Sequence, residues 1–391
     1  MRINHPFRLI FLLYFIWLNR MKKYLFISLL FVFSLEAKPK PREILAKLHA
    51  TKSYFQQKWP DVSAPIPRPD RIRPSNIWTR AVFYEGLMDL YKIDPQAADM
   101  KYMLDWANFH EWNLRDGIKT RNADNQACAQ VYLDLFDYQA DSVRILPIKA
   151  NVDLMVNSTK ADDWSWIDCL QMSMPVFTRL GVRFNDARYF EKMHDMYSFT
   201  KRKHGGNGLF DPATGLWWRD KDFVPPYKEP NGENCYWSRG NGWVFAALVR
   251  TLELLPKDAP HRVEYEQDFI ALANALLPLQ RPDGFWNVSL KDPSNFGGPE
   301  VTGSSLFVYG ISWGIRNHLL PAKKFEKPMF KAWEALATCV HPNGFLGFVQ
   351  GTGKEPKESQ PVTYTRVPDF EDFGIGCFLL AGVELIKYQK N

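Results

Sequence analysis

Apolar residues recur at helical spacing along nearly the whole 391-residue chain, and the helices they mark come in two alternating kinds. One kind opens on aromatic or small residues, carries Gly or Ala within, and closes on bulky apolar residues. It includes Trp78 to Tyr91, Trp166 to Leu180, Trp243 to Leu255, Ser304 to Leu320 and Phe373 to Tyr388, with Ala127 to Tyr138 as a weaker sixth copy. The other kind is amphipathic: Arg42 to Gln57, Tyr102 to Trp112, Ser142 to Asn157, Ala187 to Lys201, His261 to Leu279 and Met329 to Val340. An alternation repeated six times is an internal repeat, and its geometric solution is an all-α fold, an (α/α)6 barrel of six inner and six outer helices. Small residues let the inner helices crowd an axis while each outer helix lays one apolar stripe over them. No segment stands out at strand period.

Three long segments rich in Gly, Pro, Asn and aromatics break the repeat: Arg202 to Asn234, Pro282 to Val301 and Asn343 to Asp369. Structured loops of that length are where function gathers, so they are expected at one mouth of the barrel. Residues 38–391 are expected to form a single catalytic domain. Residues 1–37 are set aside. Met21-Lys22-Lys23, the apolar run Tyr24 to Phe33 and Ser34-Leu35-Glu36-Ala37 have the form of a signal peptide cleaved near Ala37, with Met21 the expected true start. Neither that run nor the earlier Leu9 to Leu18 approaches the roughly 20 residues that span a bilayer. An exported, periplasmic protein without stable membrane insertion is expected.

Removing that segment takes away five bases and one acid, and the net charge falls from +6 to +2. No Lys/Arg block remains, so nucleic acid is not an expected partner. The five cysteines, Cys128, Cys169, Cys235, Cys339 and Cys377, are far apart, with no CxxC pair. The histidines are scattered and none is paired for a metal. Neither a metal site nor a cofactor is expected. A single disulfide stays open, with Cys235 the cysteine outside the apolar helical patterns.

Fourteen tryptophans favour a stacking ligand over a purely structural use. The densest cluster is Tyr236-Trp237-Ser238-Arg239-Gly240-Asn241-Gly242-Trp243. At the mouth of a helix it offers flat faces, a fixed cation and backbone open to close approach, as a sugar acid requires. The competing reading is an aromatic helix start packed into a core. Two acids stand at inner-helix starts. Asp168, two residues after Trp166, lies among indole and thioether groups whose dryness would favour its neutral, proton-donating form. Asp124 occupies the equivalent place one repeat earlier. Each could instead cap its helix.

Trp166-Ile167-Asp168 with Met172, Pro175 and Phe177, followed by Trp237-Ser238-Arg239-Gly240-Asn241-Gly242-Trp243, resembles the unsaturated glucuronyl and rhamnogalacturonyl hydrolases of glycoside hydrolase families 88 and 105. Arg281-Pro282-Asp283-Gly284-Phe285-Trp286 with Glu300-Val301-Thr302-Gly303-Ser304-Ser305 adds to the resemblance, as does Ala123-Asp124 with Gln130, Tyr132, Asp134 and Leu135. The likeness runs from about residue 75 to 385. It implies an (α/α)6 barrel acting on the oligosaccharides that polysaccharide lyases leave, with a C4=C5 double bond in the terminal uronic acid. Such hydrolases protonate C4, add water at C5 and release the sugar when the hemiketal opens. By similarity Asp168 is general acid and base, Asp124 holds substrate hydroxyls or assists proton movement, and Trp166, Trp237, Arg239, Asn241 and Trp243 bind substrate.

Two positions depart from the family pattern. Leu216-Trp217-Trp218-Arg219-Asp220 stands where relatives often carry a histidine, so Arg219 either binds the uronate carboxylate or anchors its loop on Asp220. Asn125 stands where many relatives have a second Asp. The expected partner is an oligosaccharide bearing an unsaturated uronic acid, rhamnogalacturonan-derived by the resemblance; the sequence leaves the oligomeric state open. Two other readings remain: an inverting glycosidase on saturated sugars using Asp124 and Asp168, and a carbohydrate-binding barrel without activity.

Overall fold

The computed structural model describes residues 38–67 and 72–391. The expected leader, residues 1–37, lies outside them. Residues 41–391 form one compact unit. Its inner helices are Trp78–Ile93, Cys128–Tyr138 with the short Ala123–Gln126 before it, Asp168–Phe184, Ser238–Leu254, Val301–Arg316 and Asp372–Lys390. Each packs on the next, and the last packs back on the first, which closes the ring. The outer helices are Pro41–Lys58, Ala97–Phe109, Ser142–Val156, Arg188–Arg202, Arg262–Leu276 and Ala322–Thr338. The (α/α)6 barrel expected from the repeat is what the chain forms.

Local chemistry explains the two classes. In Val301–Arg316 every residue but the last is buried, because an inner helix is covered on all sides and needs no polar face. Arg188–Arg202, an outer helix, buries Tyr189, Phe190, Met193, Met196 and Tyr197 and leaves Arg188, Glu191, Asp195 and Arg202 on its uncovered side. Glycine sets the closeness of the ring. A Cβ on Gly86 would come 2.7 Å from the carbonyl oxygen of Gly376, and one on Gly376 would overlap the Val82 carbonyl. The Trp78 and Asp372 helices therefore meet backbone to backbone.

Two short ribbons interrupt the helical pattern. Ile66–Pro67 pairs with Ile72–Arg73, and Phe210–Asp211 with Leu216–Trp217. Strands this short carry too little alternation to be seen in sequence. The second ribbon lies in the first of the three long loops. All five cysteines are buried and free, Cys235 included. Among the described residues no helix is long and apolar enough to cross a membrane.

Candidate active site

The inner helices point their N-termini to one mouth of the barrel. There a cavity of about 180 Å³ is lined by Arg73, Trp78, Asp124, Trp166, Asp168, Met172, Arg219, Thr352 and Gly353. Trp78, Asp124 and Asp168 each stand in the first turn of an inner helix, so the same repeat position delivers the aromatic wall and both acids.

Neither acid caps its helix. Asn122 is the cap of the Ala123 turn and accepts from the Asp124 amide at 2.8 Å, which leaves the Asp124 carboxyl to the cavity. Asp168 is the first helical residue after Ile167, whose side chain makes no capping bond. Asn125 turns away and donates to Asp116 (2.8 Å) and Thr120 (2.9 Å).

Both acids hold their protons more tightly than ordinary aspartates. Burial raises Asp168, opposed by the charges of Arg219 and Arg239 and assisted by Asp220. Asp124 is pushed further, to about 7, first by burial and then by the negative charge of Asp168; Arg219, Arg115 and Arg73 oppose the rise. Two neighbouring carboxyls cannot both ionise cheaply, so the charge of each raises the cost of ionising the other.

Arg219 reaches the cavity through backbone pairing. Trp166 and Asp220 form an antiparallel bridge, and the Ile167 amide donates to the Arg219 carbonyl at 2.9 Å. The guanidinium then donates from Nε to Asp168 Oδ2 (3.2 Å) and from Nη1 to Asp220 Oδ2 (2.7 Å). Arg219 thus anchors on Asp220 while also lining the cavity.

The tryptophan-arginine cluster is placed otherwise than expected. The helix begins at Ser238, five residues before Trp243, so Arg239, Gly240, Asn241, Gly242 and Trp243 are helical rather than a flexible mouth. Trp237, Arg239, Asn241 and Trp243 are at most 1 % exposed, and none lines the cavity. These four, expected from the sequence to bind substrate, instead pack behind the cavity and hold its walls. Asn241 accepts from the Trp217 amide (2.9 Å) and donates to the Trp217 and Trp237 carbonyls (3.0 Å each), clamping the strand that leads to Arg219. Arg239 donates to the carbonyls of Gln350 and Gly351 (2.8 Å each), while Trp237 Nε1 donates to Gln350 Oε1 (3.0 Å), which fixes the loop that brings Thr352 and Gly353 to the rim. Trp243 meets Trp78 edge-on, its ring centre 6.2 Å away. The glycines serve packing: a Cβ on Gly242 would come 2.8 Å from Leu306, and one on Gly240 3.0 Å from Trp237.

Four lining residues, Arg73, Trp78, Thr352 and Gly353, escaped the sequence reading. Trp78 opens the first inner helix as Trp166 precedes the third, so the repeat could have found it. Thr352 and Gly353 lie inside the third long loop. Arg73 comes from a two-residue strand, and nothing in its neighbourhood marks it. Among the described residues no group of three or more His, Cys, Asp or Glu side chains is arranged to hold a metal ion.

The Glycosyl Hydrolase Family 88 profile matches residues 51–389, nearly all of the compact unit. The chain belongs to glycosyl hydrolase family 88. An unsaturated 3S-rhamnoglycuronyl hydrolase of Formosa agariphila is 33% identical over 334 residues, covering 80% of this chain and 85% of that protein. One of the same name from an Alteromonas species is 29% identical, with 83% and 81% covered. The solved structure of a family 88 glycosyl hydrolase from Bacteroides vulgatus superposes with a TM-score of 0.80 at 29% identity, covering 89% of this chain and 99% of that one. The chain is therefore a glycoside hydrolase of that family.

Proposed function

We propose that the cavity at the helix N-termini is where this hydrolase removes a 4,5-unsaturated uronic acid from a rhamnose-containing oligosaccharide, with Asp168 as acid and base. One observation carries the assignment of roles: two acids with raised pKa share a cavity with two guanidinium groups and two indoles, Trp78 and Trp166. An enol ether needs a proton donor that is neutral when the substrate is bound, and burial favours that form of Asp168. The uronate needs a cation, and the pyranose ring needs flat walls to lie against.

The chemistry balances on one carboxyl. Neutral Asp168 gives its proton to C4; the alkene π pair becomes the new C4–H bond, and the positive charge left at C5 is shared with the ring oxygen. Water adds at C5 and returns a proton to the Asp168 carboxylate. The hemiketal opens and frees the neighbouring sugar. Asp124, adjacent and also slow to ionise, holds substrate hydroxyls. The names of the Formosa and Alteromonas relatives favour rhamnose as the neighbouring sugar. Residues 1–37 direct export to the periplasm in this proposal, and the N-terminus of the mature protein checks it.

The test follows the ultraviolet alkene signal on lyase-digested rhamnogalacturonan and on other lyase-digested rhamnose-uronate polymers. Wild type is expected to abolish the signal, and Asp168→Asn to slow its loss by about 10²–10⁴-fold, the usual contribution of a general acid-base group. Sugar release without loss of alkene would assign the cavity to ordinary glycoside hydrolysis.

A further inference from the structure

Arg219 is bound to the acid it sits beside, and that pairing works against the chemistry assigned to Asp168. Its Nε lies 3.2 Å from Asp168 Oδ2, an ion pair that favours the ionised carboxylate and opposes proton storage. The other guanidinium contact, Nη1 to Asp220 at 2.7 Å, holds the arginine from outside the cavity. Arg219 is therefore tethered on one side and shared with the reacting acid on the other.

Arg73 and Arg219 bring two positive charges to the cavity wall, and Asp124 and Asp168 bring two carboxyls that resist ionising together. An incoming uronate adds a further negative charge, which favours a proton taken from solvent. The groups facing Asp168 decide where that proton goes. Arg219 and Asp220 face it from the Leu216–Asp220 segment, Arg239 from the Ser238 helix and Asp124 from the Ala123 turn. Arg239 is committed to the Gln350 and Gly351 carbonyls, whereas Arg219 lines the cavity and is 20% exposed. Arg219 is thus the cation that both pairs with Asp168 and lies on the cavity a ligand carboxylate would enter.

We propose that Arg219 is a counter-ion displaced by substrate: it neutralises Asp168 in the empty site, and an entering uronate draws it away, so that Asp168 takes up its proton when an acidic sugar is bound. This rests on the assignment of Asp168 as the acid. Arg219 is then a binding and positioning residue, and the carboxylate of the substrate becomes a trigger as well as a handle. Neutral sugars of the same shape would leave the ion pair in place and Asp168 charged.

Calorimetry in buffers of different ionisation enthalpy counts the protons. The probes are methyl glucuronide, which carries the carboxylate without the alkene, and neutral methyl glucoside. Wild type at pH 7 is expected to take up close to one proton per glucuronide bound and none with glucoside. Arg219→Gln, its Asp168 already neutral, is expected to bind glucuronide at least about tenfold more weakly, the loss of one charge-assisted contact, and to take up fewer protons. In kcat/KM on unsaturated substrate its alkaline limb moves to higher pH, and Arg219→Lys moves it part of the way back. A protein that merely lost a loop anchor would show a lower melting temperature with an unmoved limb. Glucuronide binding to wild type without proton uptake, equal uptake by Arg219→Gln, or no glucuronide binding at all overturns the proposal. Alkene loss by wild type is read separately: if it persists without proton uptake, the hydrolase assignment stands and the counter-ion role falls.

Discussion

Asp124 stores a conflict between stability and activity that a single substitution exposes. Its carboxyl is pushed from 3.8 to about 7, by burial first and by Asp168 second. The folded protein therefore binds more protons than the unfolded chain between about pH 4 and pH 7, so stability falls as pH rises through that window and stays lower above it. At about 1.4 kcal/mol per pH unit, the full effect at pH 8 is about 4 kcal/mol. Asp124 is half-buried, and water at the cavity mouth screens part of this, which brings the expectation to about 2 kcal/mol. Asp124→Asn removes the charge while keeping nearly the same shape, and the Asn122 cap bonds only the backbone of residue 124. The variant should melt about 3 °C higher than wild type at pH 8, with the difference shrinking toward zero near pH 4. Its kcat, followed by alkene absorbance, should fall at least about tenfold, as expected for a group beside the reacting acid. Thermal melts of both proteins from pH 4 to 9 decide the matter. A variant no more stable than wild type at pH 8, or equally stabilised at every pH, would refute the account of two carboxyls crowding one cavity.

Other substitutions probe the walls. Asn241→Ala leaves the amide and carbonyl of Trp217 unpaired in a buried strand, which should destabilise the protein by about 2–3 kcal/mol in urea unfolding and lower kcat through misplaced Arg219. Gly376→Ala drives a methyl into the Val82 carbonyl where two inner helices touch, and about 3 kcal/mol should be lost in the same assay. Trp78→Ala removes an indole from the cavity, and KM should rise about tenfold as a stacking face disappears, with the fold retained by circular dichroism.

Much of the architecture could be read from order alone. Glycine-rich helices alternating with amphipathic ones have one economical packing, and Gly86 and Gly376 show why: the ring closes where side chains are absent. The two acids were legible for the same reason, since a residue at a fixed place in a repeat arrives at a fixed place in the barrel. Trp166 and Arg219 were legible as candidates, though only the bridge between Trp166 and Asp220 shows that they face each other.

What the tertiary structure alone decided is which conspicuous residues touch the cavity. Trp237, Arg239, Asn241 and Trp243 look like a sugar site in sequence because aromatics, a cation and glycines serve both recognition and dense packing. The hydrogen bonds of Trp237, Arg239 and Asn241 run to Trp217, Gln350 and Gly351, partners that lie 24 to 113 residues away along the chain, and Trp243 packs edge-on against the distant Trp78. Arg73 shows the opposite case, an ordinary residue on a two-residue strand that the fold carries to the rim. Helical periodicity is a local property, written wherever a helix must bury a face. Whether a side chain ends in the wall or on it depends on what distant segments lay over it, and that was settled only when the loops closed.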